Sequence, residues 1–377
     1  MRHVRIKLLV VLLLGVTLPA TCFGESSHML SPLPTPAAHF VTQPSKPGHF
    51  TFVLGGDNRS VGRGVPMPPT APQIFSEVAL LRPNLVLWTG DTIYGTDDTL
   101  AEADQEYDAF LKAAALAEVP VYNAPGNHEI HDRPEMAKLY EQRMGLLYGS
   151  FDYGEVHFIA LNTADFGMKG GVGPEQMRWL EQDLEEHKNA SLIVVFTHYP
   201  LFPKNPDEGF SDTTNRDALH QLFLKYGVKY VFSGHEHLYY ASVHDGIHYI
   251  VSGGAGAPSD APVEDGGVQH YLLCEVDGKE IHITVMQPWR LFAEILKADP
   301  QDPAGMLMNY TLQDLPMYLE LPRVGDDEKV TATITYKGKK TTLPASEEPV
   351  PGDKRHIYIK VVVPAHRAAM VELTSTR

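Results

Sequence analysis

The sequence predicts an α/β catalytic part followed by a small all-β part, and three observations carry that prediction. Short apolar runs recur at residues 50–54, 85–88, 119–122, 192–196 and 230–232, each leading into Gly or polar residues. Segments with helical spacing lie between several of them, at 73–81, 100–117 and 174–186. Beyond about residue 300 the helical spacing stops, and residues 318–321, 330–336 and 357–363 alternate or run as strands between Gly, Pro and Lys turns. A chain of 377 residues, 43% hydrophobic and 21% charged, is long enough to bury one large core and a smaller one.

The amino terminus reads as an address. Arg2, Arg5 and Lys7 precede an apolar run from Leu8 to Leu14, followed by Pro19, Ala20, Thr21, Cys22, Phe23 and Gly24. Residues 1–24 thus have the layout of a secretory signal peptide, too short in its apolar part for a comfortable membrane span. The mature chain is expected to be periplasmic or secreted, with cleavage near Cys22 to Gly24. A lipid anchor on Cys22 is the less favoured alternative, because Pro19 and Thr21 sit poorly for it. Residues 25–48, rich in Ser, Pro, Thr and His without periodicity, are expected to form a linker.

The catalytic part is expected over residues 49–300. Its strands are apolar through their length, as expected where both faces are covered. The helix at 174–186 opens with Pro174 in a first-turn position and continues Met177, Leu180, Leu184 at helical spacing. Strands feeding loops that converge at one sheet edge make a ligand site at that edge. The β part, 301–377, shows no ligand spacing and is expected to serve packing or an interaction with an unknown partner. Cleavage of the leader would leave Cys274 as the single cysteine, inside the apolar run 271–274, where a thiol behaves as a small buried hydrophobe. An exported chain without a disulfide relies on its core, or on bound metal, for stability.

With 31 Lys and Arg against 47 Asp and Glu, the formal charge is −16, and no block is dense in basic residues. That excludes a nucleic-acid scaffold, which needs a basic face. It does not exclude a small anionic substrate, which responds to the local field of a site and above all to a metal in it.

Five loop clusters bear chemistry: Gly56, Asp57, Asn58, Arg59; Gly90, Asp91, Thr92, Ile93, Tyr94; Gly126, Asn127, His128, Glu129; Thr197, His198; and Gly234, His235, Glu236, His237. Singly, each has an ordinary reading as a turn or as surface imidazoles. Together they arrive in order, each after a buried strand, with two carboxylates, one amide, one phenol and three imidazoles that suit metal ligation.

This order of motifs resembles the calcineurin-like metallophosphoesterase superfamily, and within it the purple acid phosphatase branch, over roughly residues 50–290. Tyr94 distinguishes the branch. Most of the superfamily has a His two residues after the first Asp, where this chain has Arg59, which stays cationic and has no lone pair to offer. A phenolate at Tyr94 fills that vacancy. The resemblance implies a four-layer α/β/β/α sandwich of two mixed sheets flanked by helices. It implies one metal held by Asp57, Asp91, Tyr94 and His237 and a second held by Asp91, Asn127, His198 and His235, with Asp91 bridging. Phenolate and carboxylates are hard donors that favour Fe(III) in the first site, while an amide and imidazoles suit Fe(II), Zn or Mn in the second; an all-divalent pair stays open.

The implied activity is that of an exported phosphatase hydrolysing phosphomonoesters by a metal-bridged hydroxide, with His128 as acid or transition-state stabiliser. His128 as a structural residue behind the ligands is the alternative. Arg59 either contacts the substrate phosphate or forms a salt bridge to a carboxylate. A phosphodiesterase acting on cyclic nucleotides or phospholipid head groups could use the same residues, and so could a non-catalytic, metal-stabilised binding protein. Residues 199–204 lack the additional imidazoles that plant enzymes of this kind carry. His131, His157, His187, His220, His244, His248 and His270 stand outside the motifs and are expected to be structural or on the surface.

Overall fold

The computed structural model describes residues 28–39, 43–130, 133–165, 167–324 and 328–375, so the expected signal peptide, Cys22 included, lies outside the described residues. In chain order the first part holds β1 (His49–Gly55), α1 (Thr70–Leu81), β2 (Leu85–Trp88), α2 (Leu100–Ala114), β3 (Val121–Asn123), α3 (Asn127–Ile130), α4 (Pro134–Arg143), β4 (Gly149–Tyr153), β5 (Val156–Ala160) and α5 (Pro174–Glu186). It continues with β6 (Leu192–Phe196), α6 (Thr213–Tyr226), β7 (Tyr230–Ser233), β8 (Tyr239–His244), β9 (Ile247–Ser252), β10 (Tyr271–Asp277) and β11 (Glu280–Met286).

These strands make two mixed sheets. One has the order β11-β10-β1-β2-β3, with β1, β2 and β3 parallel; the other has the order β4-β5-β6-β7-β9-β8, with a parallel centre and antiparallel edges at β4 and β8. Alternation along β1 decides how the layers stack. Phe50, Phe52 and Leu54 turn inward, where the Phe52 ring meets those of Phe158 and Phe232 at 5.8 and 6.0 Å. Val53 turns outward onto Ile74, Phe75 and Val78 of α1. On the far side Ile159, Ile193, Val195 and Val231 pack on Leu180 and Leu184 of α5 and Leu219 and Phe223 of α6. The architecture is therefore the expected helix, sheet, sheet, helix sandwich.

Local chemistry sets the helix ends. Thr99 and Glu102 form a capping box at the start of α2. Asp212 caps α6, and Gly227 ends it at φ 73°, in the left-handed region glycine favours. Helix α1 starts at Thr70, ahead of the expected residue 73, because Pro72 falls in the first turn, where no backbone N–H is needed. Strand β3 begins at Val121 because Pro120 has no N–H to pair; its carbonyl instead accepts from the Val86 amide at 2.8 Å.

The described part of the expected linker is packed instead of extended in solvent. The Leu30 amide donates to the Ser150 carbonyl at 2.9 Å and the Leu33 amide to the Val121 carbonyl at 2.7 Å. Leu30, Leu33 and Ala37 are buried. A few apolar side chains in a polar stretch suffice to dock it when they face an existing core.

The carboxyl-terminal strands are β12 (Leu291–Lys297), β13 (Ala304–Asn309), β14 (Leu315–Pro322), β15 (Glu328–Tyr336), β16 (Lys339–Leu343), β17 (Ala345–Val350), β18 (Asp353–Val363) and β19 (Arg367–Ser375). They form a five-stranded sheet, β12-β13-β19-β15-β16, and a three-stranded one, β14-β18-β17. Because β12 pairs with β13, this sheet begins ahead of the boundary expected at residue 300. Leu307, Leu319, Ile359 and Val371 join the same core as α1, so the β part covers the outer helical layer. Among the described residues, no helix is long and apolar enough to cross a membrane.

Candidate metal centre

Each cluster follows a strand whose carboxyl end opens at one edge of the sandwich. Asp57 follows β1, Asp91 follows β2, Asn127 and His128 open α3 after β3, His198 follows β6, and His235 and His237 follow β7. Asp57, Asp91 and His235 sit at φ 62°, 52° and 72°. That backbone region costs a residue with a Cβ on the order of 1 kcal/mol or more. Hydrogen bonds hold it: the Asp57 amide donates to the Gly90 carbonyl, the Asp91 amide to Glu129, and the His235 amide to Asp57 Oδ1, each at 3.0 Å. Two glycines allow the loops to close. A Cβ on Gly90 would stand 2.5 Å from the Gly126 nitrogen, and one on Gly126 would stand 2.3 Å from Asp91 Oδ1.

The imidazole tautomers follow from their partners. His198 Nδ1 donates to the Thr89 carbonyl at 2.8 Å, which leaves a lone pair on Nε2. That Nε2 faces Asn127 Oδ1 at 2.9 Å, His235 Nδ1 at 3.2 Å and Asp91 Oδ1 at 3.3 Å. His235 Nε2 donates to Glu208 at 3.1 Å, which leaves Nδ1 to offer a lone pair in the neutral ring. With both rings neutral, His198 Nε2 and the three atoms around it can each offer a lone pair, an arrangement that a cation satisfies. Asp57 is fully buried, and His237 Nε2 lies 3.7 Å from its Oδ1, because His237 Nδ1 donates to the Pro258 carbonyl at 2.8 Å. One donor atom each from Asp57, Asp91 and His198 lies within 4.8 Å of the other two.

Burial and neighbouring charges shift four of these groups. Burial pushes the Asp57 carboxyl well up, and the Asp91 charge adds to the push. Burial pushes Asp91 up as well, but His198, His128 and Arg59 outweigh it and hold Asp91 below the usual carboxylate range. Burial brings His198 down to about 4, which keeps its ring neutral. For His237 burial acts downward, but Asp260 and Asp57 outweigh it and carry the ring to about 8.

The structure brings Asp57, Asp91, Asn127, His198, His235 and His237 together. His128 Nδ1 is turned to the Tyr94 carbonyl and to Thr96 Oγ1, which directs Nε2 to 3.8 Å from Asp91 Oδ2. Tyr94 takes part in this through its backbone: its amide donates to Glu106 at 2.6 Å, and its ring stands 5.9 Å from the His128 ring. Arg59 Nε lies 3.5 Å from Asp91 Oδ2, so the salt-bridge reading of Arg59 is realised.

Sequence reasoning assigned no role to Glu129, Glu236, Glu208 or Asp260. The Glu129 carboxylate, pushed up to about 7 by burial and by Asp91, accepts from the Gly126 amide at 2.6 Å and from Thr92 Oγ1 at 2.7 Å. It joins the loop after β2 to the loop after β3. Glu129 and Glu236 stand inside recognised motifs, but their partners are mostly backbone amides, which residue identity does not reveal.

A second group, Asp152, His157 and His187, also has donor atoms within 4.8 Å of one another. Its His157 and His187 rings are stacked at 3.8 Å with 10° between planes. Lone pairs of parallel rings run side by side and do not converge on one ion. His157 instead lies between Asp152 Oδ1 at 2.7 Å and Asp183 Oδ2 at 2.8 Å. Burial alone would lower the His157 pKa, but the two carboxylates outweigh it and raise it; the His157 bond in turn lowers Asp152. A raised imidazole stabilises the fold below its unfolded pKa and loses that contribution as pH rises through the folded value. We expect His157→Ala to lower unfolding free energy by about 3 kcal/mol at about pH 6, from a buried pair losing one partner. The deficit relative to the parent should shrink on going to about pH 9, as read by urea unfolding at both values.

Residues 68–239 match the family model of the calcineurin-like phosphoesterases. The matched segment contains Asp91, Tyr94, Asn127, His128, His198, His235 and His237, and begins after Asp57. The serine/threonine-protein phosphatase CPPED1 of Danio rerio is 31% identical over 191 residues, covering 46% of this chain and 60% of that protein. Acid phosphatase type 7 of Homo sapiens is 28% identical over 211 residues, covering 49% of this chain and 45% of that protein. The chain therefore spans 60% and 45% of the length of these two curated relatives. A solved dimetal phosphatase from Danio rerio superposes with a TM-score of 0.48 at 14% identity, covering 71% of this chain and all of that one.

Proposed function

We propose that this chain, which carries a calcineurin-like phosphoesterase domain, is an exported binuclear metallophosphatase that hydrolyses phosphomonoesters. The observation that carries the reading is the gathering of Asn127 Oδ1, His235 Nδ1 and Asp91 Oδ1 within 3.3 Å of His198 Nε2, four atoms that can each offer a lone pair to a cation. The signal-peptide layout of residues 1–24 supports export, and the phosphatase names of the two relatives support the reaction class.

The donor types suit two cations. Asp57, Asp91, Tyr94 and His237 would hold one, preferring Fe(III) for its hard anionic donors, and Asp91, Asn127, His198 and His235 would hold the other, as Fe(II), Zn or Mn. A bound pair supplies Lewis-acid activation of water and neutralises charge at the phosphoryl oxygens. The chain's own residues do the rest. Asp91 is shared between the two ligand sets. His128, with Nδ1 committed to the Tyr94 carbonyl, presents Nε2 on the side of Asp91, where it can pass a proton to the leaving oxygen or stabilise its charge. Arg59 keeps guanidinium N–H groups beyond those facing Asp91 and Ser60, which suit a substrate phosphate.

Purified protein loaded with iron, zinc or manganese should turn over p-nitrophenyl phosphate at least about tenfold faster than bis(p-nitrophenyl) phosphate, a difference of ~1.4 kcal/mol in barrier. Chelation should remove the activity and metal should restore it. No monoester turnover with any of these metals would sink the proposal, and a preference for the diester would move it to phosphodiesters.

A further inference from the structure

We infer that Glu208 is a positioning residue for the metal centre, holding the tautomer and direction of the His235 ring so that its Nδ1 lone pair faces the point shared with His198; this rests on the metal-centre reading above. Three imidazoles enter that reading, and each has its outer nitrogen bound. His198 Nδ1 is bound by the Thr89 carbonyl and His237 Nδ1 by the Pro258 carbonyl, both at 2.8 Å and both main-chain groups. His235 differs. Its Nε2 meets a side-chain carboxylate, Glu208 Oε2, at 3.1 Å, on a surface turn.

The path of the chain shows why Glu208 stands there. It ends the short turn Pro206–Glu208, where the Asn205 side chain accepts from the Asp207 amide. The amides of Lys204 and Asn205, just ahead of that turn, donate to Glu236 Oε2 and Oε1 at 2.8 and 2.7 Å. Glu236 is 2% exposed and lies between His235 and His237 in sequence. The segment bearing two imidazoles thus anchors the loop through Glu236, and the loop returns Glu208 to His235. The Tyr199 ring, 4.0 Å from the His235 ring, packs against it as well.

Side-chain rotation of His235 would otherwise exchange its two nitrogens. A carboxylate behind a ligating imidazole selects one tautomer and raises its basicity, and losing such a partner typically costs about 10- to 100-fold in metal affinity. A mere surface ion pair would change little, since Glu208 is 44% exposed at its side chain.

The test is calorimetric titration of Zn²⁺ into metal-stripped parent, Glu208→Gln, Glu208→Ala and His235→Ala proteins, with thermal melting of each metal-free form. Glu208→Ala should melt with the parent when metal-free, bind one ion about 10- to 100-fold more weakly and bind the other as the parent does. Glu208→Gln, which keeps an acceptor without its charge, should fall between. Parent-like binding of both ions by Glu208→Ala overturns the inference, and so does a loss of affinity that only follows a lowered melting temperature of the metal-free protein. If His235→Ala binds both ions as the parent does, the metal-centre reading itself fails. If it loses one ion while Glu208→Ala loses none, only the role of Glu208 fails.

Discussion

Asp91→Ala should lower kcat/KM for p-nitrophenyl phosphate by about 10³-fold or more, or ~4 kcal/mol of transition-state stabilisation. Asp91 is 2% exposed and stands at the middle of the centre. Its Oδ1 lies 3.3 Å from His198 Nε2 and accepts from the His128 amide at 3.1 Å, while its Oδ2 faces Arg59 Nε at 3.5 Å. Both proposed ligand sets use it, so truncation removes a donor from each cation and frees the His128 backbone together. Metal analysis should find fewer than two ions per chain. Added metal should stabilise the parent, by about 2.7 kcal/mol at a concentration one hundred times its dissociation constant, and should stabilise the variant far less. A variant that kept two ions and parental turnover would remove Asp91 from the centre.

The second large effect is expected at His128. His128→Ala should lower kcat by about 10²- to 10³-fold while leaving metal content unchanged, because its Nε2 lies near Asp91 but its ring is outside both ligand sets. The leaving group then separates its two roles. A proton donor matters most for an alkyl phosphate and least for p-nitrophenyl phosphate, whose leaving oxygen is already stabilised. A charge stabiliser acting on the phosphoryl oxygens costs both substrates alike. Steady-state rates on the two substrates, with ions counted in the same preparation, decide it. Unchanged kcat on both would return His128 to a structural role in holding the Tyr94 carbonyl.

The strands that deliver the donors were legible because each is buried on both faces and so reads as an apolar run. The edges were not. Strand β8 is half-exposed along its length, and the β4–β5 hairpin mixes polar and apolar residues without marking a period. Helix α6 was missed because its first turn, Thr213 to Arg216, is polar and only Leu219, His220 and Phe223 are buried. The packing of Leu30 and Leu33 was equally hidden, since its partners Ser150 and Val121 lie about a hundred residues away.

At the site the division has a physical cause. Which donors stand at which strand ends is a matter of residue type and local burial pattern, so the sequence by itself determined polar clusters at successive strand ends, and its resemblance to the metallophosphoesterases implied Asp57, Asp91, Tyr94, Asn127, His198, His235 and His237 as ligands. Which nitrogen of each imidazole faces inward is decided by an acceptor from elsewhere in the chain: Thr89 for His198, Glu208 for His235 and Pro258 for His237. Those pairs are separated by 109, 27 and 21 residues, distances over which no spacing rule operates. Only the tertiary structure could join them, because a tautomer is chosen by a contact and not by a composition.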